Sequence, residues 1–292
     1  MKRALIIGIN YELDERNRLY GCVNDARNME KRLRAMYPAA EYRIVVDSAN
    51  GAAESWPSRA NILAGLAWLT SGLCGGGSSD RVFLHYSGHG GLTIDRDMDE
   101  ASGFDSCIFP ISPQGQVEFI IDDELRRAIS AVPAGCTVTA VFDCCHSGTC
   151  LDLRYTVCPA NVGASGAANG PKASVSSGAS GADVGASGAS AASGAANSTA
   201  VVVTEDRRHA KTAAQVFCLS GCTDQQTAAD TVDAAGIPSG ALTNALLAAL
   251  ETKSTKITRL ICAVREGLRE AGYPQTAQMS CGRAAAFDAS FL

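Results

Sequence analysis

The sequence predicts an α/β protein in which helices cover both faces of a central, mostly parallel β-sheet. Two observations carry this. Short apolar runs, ALIIGI (4–9), RVFLHY (81–86) and TVTAVF (137–142), are nearly continuous, and each leads into Gly, Ser or Asp and polar loop chemistry. Runs of that kind suit strands buried on both faces. Helical stretches alternate with them, and that order builds right-handed crossovers between parallel strands.

In chain order, the run at 4–9 opens the sheet and NDARNMEKRLRAMY (24–37) supplies the first helix. SRANILAGLAWLTSGL (58–73) follows with Ser58 as its N-cap, then the strand at 81–86. DDELRRAISAV (122–132) forms the next helix, with Asp122 as N-cap, and returns the chain to the strand at 137–142. Residues 160–200 are mostly Ala, Gly and Ser without an aromatic residue. Such a tract buries too little apolar surface to offset its ordering entropy, so a flexible linker or surface insertion is expected. Order resumes with QVFCLSGC (215–222), followed by helices over 241–251 and 257–272. No internal repeat is evident.

Composition narrows the function classes. Hydrophobic content of 46% supports a sizeable core, and a net charge of −5 argues against a nucleic-acid partner. The start, MKRALIIGINYELD, has six apolar residues before Asn10, too short for a signal-peptide core. The twelve cysteines are therefore expected to be free thiols in a reducing, cytoplasmic compartment. No apolar run approaches the roughly 20 residues of a membrane span.

Chemistry concentrates at FDCCHSGT (142–149) and RVFLHYSGHGG (81–91). Side chains alternate along a strand, so Asp143 and Cys145 point one way and Cys144 the other. The same parity pairs Ser87 with His89 and leaves His85 back in its strand. Ser87, His89, Asp143 and Cys145 thus converge at the carboxyl edge of the sheet, where α/β proteins bind ligands. A thiol needs a base to become a nucleophile, which His89 can supply to Cys145. Cys144 is read as a buried hydrophobe and His85 as a core histidine. A zinc site on Cys144, Cys145, His146 and Cys150 is disfavoured by adjacent rather than spaced cysteines, and no C-x-x-C occurs for a redox pair.

HYSGHGG (85–91) with DCCHSGT (143–149) resembles the His and Cys boxes of metacaspases, caspase-like cysteine peptidases. The separation of 56 residues, 145 minus 89, is near the roughly 50 of caspases. GINYELDERNRLYGCVNDARNM (8–29) is similar to the start of the large p20-like region. FCLSGCTDQQTAADT (217–231) and QTAQMSCGR (275–283) are similar to the small p10-like region. The order, together with GTCLDLRY (148–155), resembles type I members. The resemblance implies a caspase-hemoglobinase-like sandwich, with 1–156 p20-like, 157–212 a Gly/Ala/Ser-rich linker and 213–292 p10-like. Type I members usually carry a Pro- or Gln-rich or zinc-finger prodomain, whereas this chain starts at its first strand, so the expectation is a prodomain that is absent or has been trimmed away.

Carried over by position, the resemblance makes His89 and Cys145 catalytic and assigns the substrate pocket to Cys22, Asp25, Ser87 and Asp143, with Asp224 a weaker candidate. It implies cleavage after Arg or Lys. Acids here match a cationic side chain through charge-assisted hydrogen bonds, and no basic residue stands in these loops to take an aspartate. Asp25 alone could instead serve a helix N-terminus. Acids also cluster over DRDMDEASGFD (95–105), but Glu100 and Ser106 break the EF-hand pattern. The family's calcium positions fall on Asp105, Asp122, Asp123 and Asp152, while Asp95, Asp97 and Asp99 are read as solvated loop charges. The expected partners are protein or peptide substrates with Arg or Lys at the cut, acted on by a monomer. Self-cleavage is expected after Lys172 or within 207–211. The rival reading is a catalytically silent, calcium-responsive scaffold that binds partners or aggregates; a paracaspase-type peptidase is disfavoured by the p10-like tail.

Overall fold

The computed structural model describes residues 1–48, 55–74, 80–95, 98, 103–159, 201–223, 226, 230–232, 236–251, 256–284 and 289–292. Strand β1 (Arg3–Gly8) is followed by α1 (Cys22–Met36), β2 (Glu41–Val46), α2 (Arg59–Thr70) and β3 (Arg81–Ser87). Next come β4 (Gly90–Ile94), β5 (Phe104–Ile108), β6 (Ile120–Ile121), α3 (Asp122–Ser130), β7 (Thr137–Asp143) and β8 (Tyr155–Pro159). The chain continues through β9 (Val201–Glu205), β10 (Gln215–Ser220), β11 (Asp230–Val232), β12 (Pro238–Gly240), α4 (Ala241–Glu251), α5 (Ile257–Glu270) and β13 (Gln278–Cys281).

The main sheet has eight strands in the order β2-β1-β3-β7-β10-β13-β8-β9. The five strands from β2 to β10 pair in parallel, and β13, β8 and β9 extend the sheet antiparallel. Alternation along each buried strand splits the core in two. Leu5 and Ile7, Leu84 and Tyr86, and Ala140 and Phe142 pack with α2 residues Ile62, Leu66 and Leu69 and α3 residues Leu125 and Ile129. Ala4 and Ile6, Phe83, Val141 and Phe217 face α1, α4 and α5 through Met29, Leu33, Leu246, Ile261 and Val264. Helices therefore cover both faces, as the sequence predicts.

The differences have local causes. Strand β2 was not anticipated, because EYRIVV is an edge strand with exposed residues alternating with partly buried ones before Val45 and Val46. Strands β4, β5 and β6 form a separate three-stranded sheet between β3 and α3. Part of the span read as linker is strand, since β8 and β9 pair from Tyr155↔Glu205 to Pro159↔Val201; the Ala/Gly/Ser tract itself lies outside the described residues. Ser58 caps α2 by accepting from the Asn61 amide at 3.3 Å. Asp122 is not the N-cap: Ile121 holds that position, and Asp122 is the first helical residue. Helix α3 stops at Ser130, just ahead of Pro133. Eleven cysteines are free thiols among the described residues.

Candidate active site

The loops after β1, β3, β7 and β10 meet at one edge of the main sheet. His89 follows β3, and Cys144 and Cys145 follow β7. Ser87 and Asp143 are direct neighbours across the β3–β7 pairing. Cys144 is 1% exposed and belongs to the core beneath α2 and α3, whereas Cys145 is half-buried. The Cys150 hydrogen bond pulls the Cys144 thiol down, but burial and the neighbouring Cys222, Cys145 and Asp143 outweigh it and raise its pKa. Parity thus separates the two thiols as the sequence predicts. Backbone packing brings the His and Cys boxes together: a Cβ on Gly90 would lie 2.1 Å from the Cys145 carbonyl oxygen, so only glycine fits there.

Two buried tyrosines fix His89. In the β4–β5 hairpin His89 faces Phe109, whose amide reaches the His89 carbonyl at a long 3.4 Å. The return bond is replaced by the Tyr11 hydroxyl, which accepts from the His89 amide at 3.0 Å and donates to the Phe109 carbonyl at 2.7 Å. The Tyr86 hydroxyl donates to the His89 carbonyl at 2.7 Å and accepts from the Phe109 amide at 3.3 Å. Both tyrosines are fully buried, and burial holds their hydroxyls protonated by raising each pKa well above its ordinary value. The Tyr11 ring also packs against the imidazole, tilted by 39° with ring centroids 4.6 Å apart, and the Asn17 carbonyl lies 2.7 Å from His89 Nε2. Tyr11 has φ of 57°, a left-handed conformation that costs a tyrosine energy. Asp47 offsets that cost by accepting from the amides on either side, Asn10 at 2.8 Å and Glu12 at 3.0 Å.

Asp25 and Asp143 form the acidic part of the site. Asp25, in the first turn of α1, is wholly buried. It accepts from Ser87 Oγ at 2.7 Å, Ser239 Oγ at 2.6 Å and the Gly240 amide at 2.9 Å. Asp143 Oδ2 accepts from the amide and hydroxyl of Thr243, each at 2.8 Å. Asp25 therefore does more than complement a helix dipole. Cys22 is buried at the start of α1. His85 is a core residue: burial lowers its pKa to about 3, and its Nε2 lies 3.4 Å from Thr243 Oγ1. Ser239, Gly240 and Thr243 have no local sequence signal. Neither do Tyr11, Asn17 and Asp47, whose roles arise only from long-range contacts, whereas Tyr86 lies within the HYSGHGG motif, three residues before His89. Asp224 lies outside the described residues.

The remaining acids lie around β5 and α3. Asp105 is 4% exposed, Asp122 2% and Asp152 5%, with Asp123 half-buried. Asp122 Oδ2 accepts from the Ser106 amide at 2.6 Å and its Oδ1 from the Asp123 amide at 3.0 Å. Asp152, at φ 44°, lies close enough to Arg126 of α3 to act on its charge, and Arg126 donates to the Leu151 carbonyl at 3.4 Å. Their donor chemistry, hard carboxylate oxygens from β5, the start of α3 and the loop after β7, fits calcium. Among the described residues, however, no three His, Cys, Asp or Glu side chains are gathered as one metal site. Asp97 and Asp99 lie outside the described residues, and Asp95 accepts from the Met98 amide at 2.7 Å.

An α/β sandwich with a thiol, an imidazole and paired buried carboxylates on one sheet edge defines a caspase-like fold with a thiol–histidine site. Residues 2–154 match the family described as metacaspase, peptidase C14 domain. Metacaspase-1 of Mycosarcoma maydis is 35% identical, over 100% of this chain and 73% of its own length. Metacaspase-1 of Cryptococcus neoformans var. neoformans serotype D (strain JEC21) is 36% identical over 96% of this chain, which spans 62% of that relative's length. A crystal structure of a Geobacter sulfurreducens protein superposes with a TM-score of 0.60 at 20% identity, covering 99% of this chain and 97% of that one. The chain belongs to the metacaspase family. No helix among the described residues is long and apolar enough to cross a membrane.

Proposed function

We propose that this chain is a cysteine endopeptidase that cuts after Arg or Lys, with His89 and Cys145 as its catalytic residues. The observation that carries this reading is the pairing of two buried carboxylates, Asp25 and Asp143, around Gly240 on the same sheet edge as Cys145. Buried carboxylates close together favour a cation between them, and a guanidinium or ammonium meets that demand. His89 takes the Cys145 proton, and the thiolate attacks the carbonyl carbon of the bound residue. Backbone N–H groups of Cys145 and Gly90 would hold the oxyanion. His89 then gives its proton to the leaving amine, and water hydrolyses the acyl-enzyme with His89 as base. The Tyr11 and Tyr86 hydroxyls keep the His89 backbone in place through both transfers.

Calcium dependence belongs to the same proposal. Asp105, Asp122, Asp123 and Asp152 would hold the ion, which supplies positive charge among these acids. Asp152 lies seven residues past Cys145, so this loop could couple the ion to the nucleophile. We also read 1–156 as p20-like and 213–292 as p10-like parts of one catalytic domain, cut between them by the enzyme itself. Arg207, just past β9 with its side chain 82% exposed, suits such a cut. Lys172 lies outside the described residues. We further propose a monomer acting in the cytoplasm.

Fluorogenic peptides ending in Arg, Lys or Asp, assayed with and without calcium, test the activity. Calcium-stimulated turnover of the Arg and Lys peptides is expected. No turnover of any peptide by folded protein would leave the scaffold reading. Calcium should also raise the unfolding temperature in an activity-independent scan, and this shift should shrink in Asp152→Asn. N-terminal sequencing after calcium treatment should place cuts after Lys172 or within 207–211.

A further inference from the structure

A cleft of about 500 Å³ opens beside His89 and contains none of the residues of the acidic pocket. His89 and Gly90 border it, Tyr11, Phe109 and Val117 give it apolar walls, and Asp14 contributes a carboxylate. The Phe109 ring is seated on Gly91, where a Cβ would lie 2.8 Å from two ring carbons. Val117 remains 43% exposed, so the wall faces solvent.

We infer that this cleft receives the side chain of the residue following the cut bond, and that it favours an uncharged apolar side chain there over an acidic one. This rests on the peptidase reading above. If Asp25 and Asp143 take the side chain before the cut, the acyl half of the substrate is fixed on their side. His89 must deliver its proton to the leaving amine, so the leaving half passes over the imidazole into the space that His89 borders. That space has the size of a small-ligand pocket and ample room for a Phe or Leu side chain. Asp14 accepts from Asn17 Nδ2 at 2.7 Å and from the Arg16 amide at 3.2 Å, and these bonds hold its carboxyl below the usual range. It is therefore charged at neutral pH and repels an incoming carboxylate, which is selection by an unfavourable contact.

The test uses internally quenched peptides with Arg before the cut and Phe, Leu, Gly or Asp after it. With the full chain, kcat/KM for Phe and Leu is expected to exceed that for Gly by about tenfold, as burial of one large apolar side chain allows. Asp should be the poorest. Val117→Asp should collapse the Phe-to-Gly ratio toward one, and Asp14→Asn should raise the Asp peptide relative to Gly. Equal kcat/KM for Phe and Gly in the unaltered chain would overturn the inference while leaving the peptidase intact. So would an unchanged Phe-to-Gly ratio in folded Val117→Asp. Failure to cut any Arg peptide would overturn the peptidase reading and this inference together. Val117 and Asp14 lie at the surface, and the two variants test the site independently should either fail to fold.

Discussion

Asp25 on α1 and Asp143 at the end of β7 approach one backbone position, Gly240: a Cβ there would lie 2.9 Å from Asp25 Oδ2 and 2.2 Å from Asp143 Oδ2. The glycine is required because any side chain would occupy the space between the two carboxylates. Gly240→Ala should therefore raise KM for Arg peptides at least tenfold. Asp143→Ala should weaken binding of the cationic side chain by about 2–5 kcal/mol, the usual cost of removing one partner of a desolvated charged pair. Steady-state kinetics with Arg peptides measures both, and wild-type KM in either variant would remove that residue from the pocket.

Cys145→Ala should abolish turnover, while Cys144→Ala should keep much of it and lose stability instead. Cys144 packs in the core, where deleting a small buried group costs about 1 kcal/mol. Activity together with thermal unfolding separates the two outcomes. Equal activity loss in two folded variants would contradict the parity argument.

Tyr11→Phe removes the hydroxyl inserted between His89 and Phe109 and leaves the His89 amide without its acceptor. The expected result is a fall in kcat of about tenfold or more with KM little changed, because the base and not the substrate pocket is displaced. Tyr86→Phe should act in the same direction. Circular dichroism checks the fold, and a loss confined to KM would argue against positioning.

His85 ties stability to pH. Its folded pKa, about 3, lies below the ordinary 6.5, so the unfolded chain binds a proton that the native chain excludes. Its contribution is therefore present above about pH 6.5 and is lost as pH falls from there toward 3. Urea unfolding between pH 7 and 4 should show this loss, and His85→Leu should flatten the slope over that window. An unchanged slope would mean that His85 is not the excluded base.

The extent to which the site could be read in advance follows from how locally each part is specified. Strands β1, β3, β7 and β10 were legible because burial on both faces forces continuous apolar runs. Helices α4 and α5 were legible because each writes its packing into a helical stretch of its own. The His–Cys order needs two short motifs, and strand parity was enough to separate Cys144 from Cys145. Edge strands such as β2, and the β8–β9 pair flanking the Ala/Gly/Ser tract, carry weaker patterns since one side of the pairing or one face is open.

What only the tertiary structure decided are contacts between residues far apart in the chain. Ser239 and Gly240 close on Asp25 from the opposite end of the sequence, and a serine before a glycine has no periodicity that would announce this. The Tyr11 hydroxyl takes a place in the β4–β5 ladder because Asp47, at the end of β2, holds the backbone around it in a left-handed turn. The sequence by itself determined the layered α/β frame and the chemistry at its edge, since these follow from local burial and local motifs. Which donors complete the carboxylates, and how the imidazole is held, waited on the folded chain, because hydrogen-bond geometry between distant segments exists only once the core has packed.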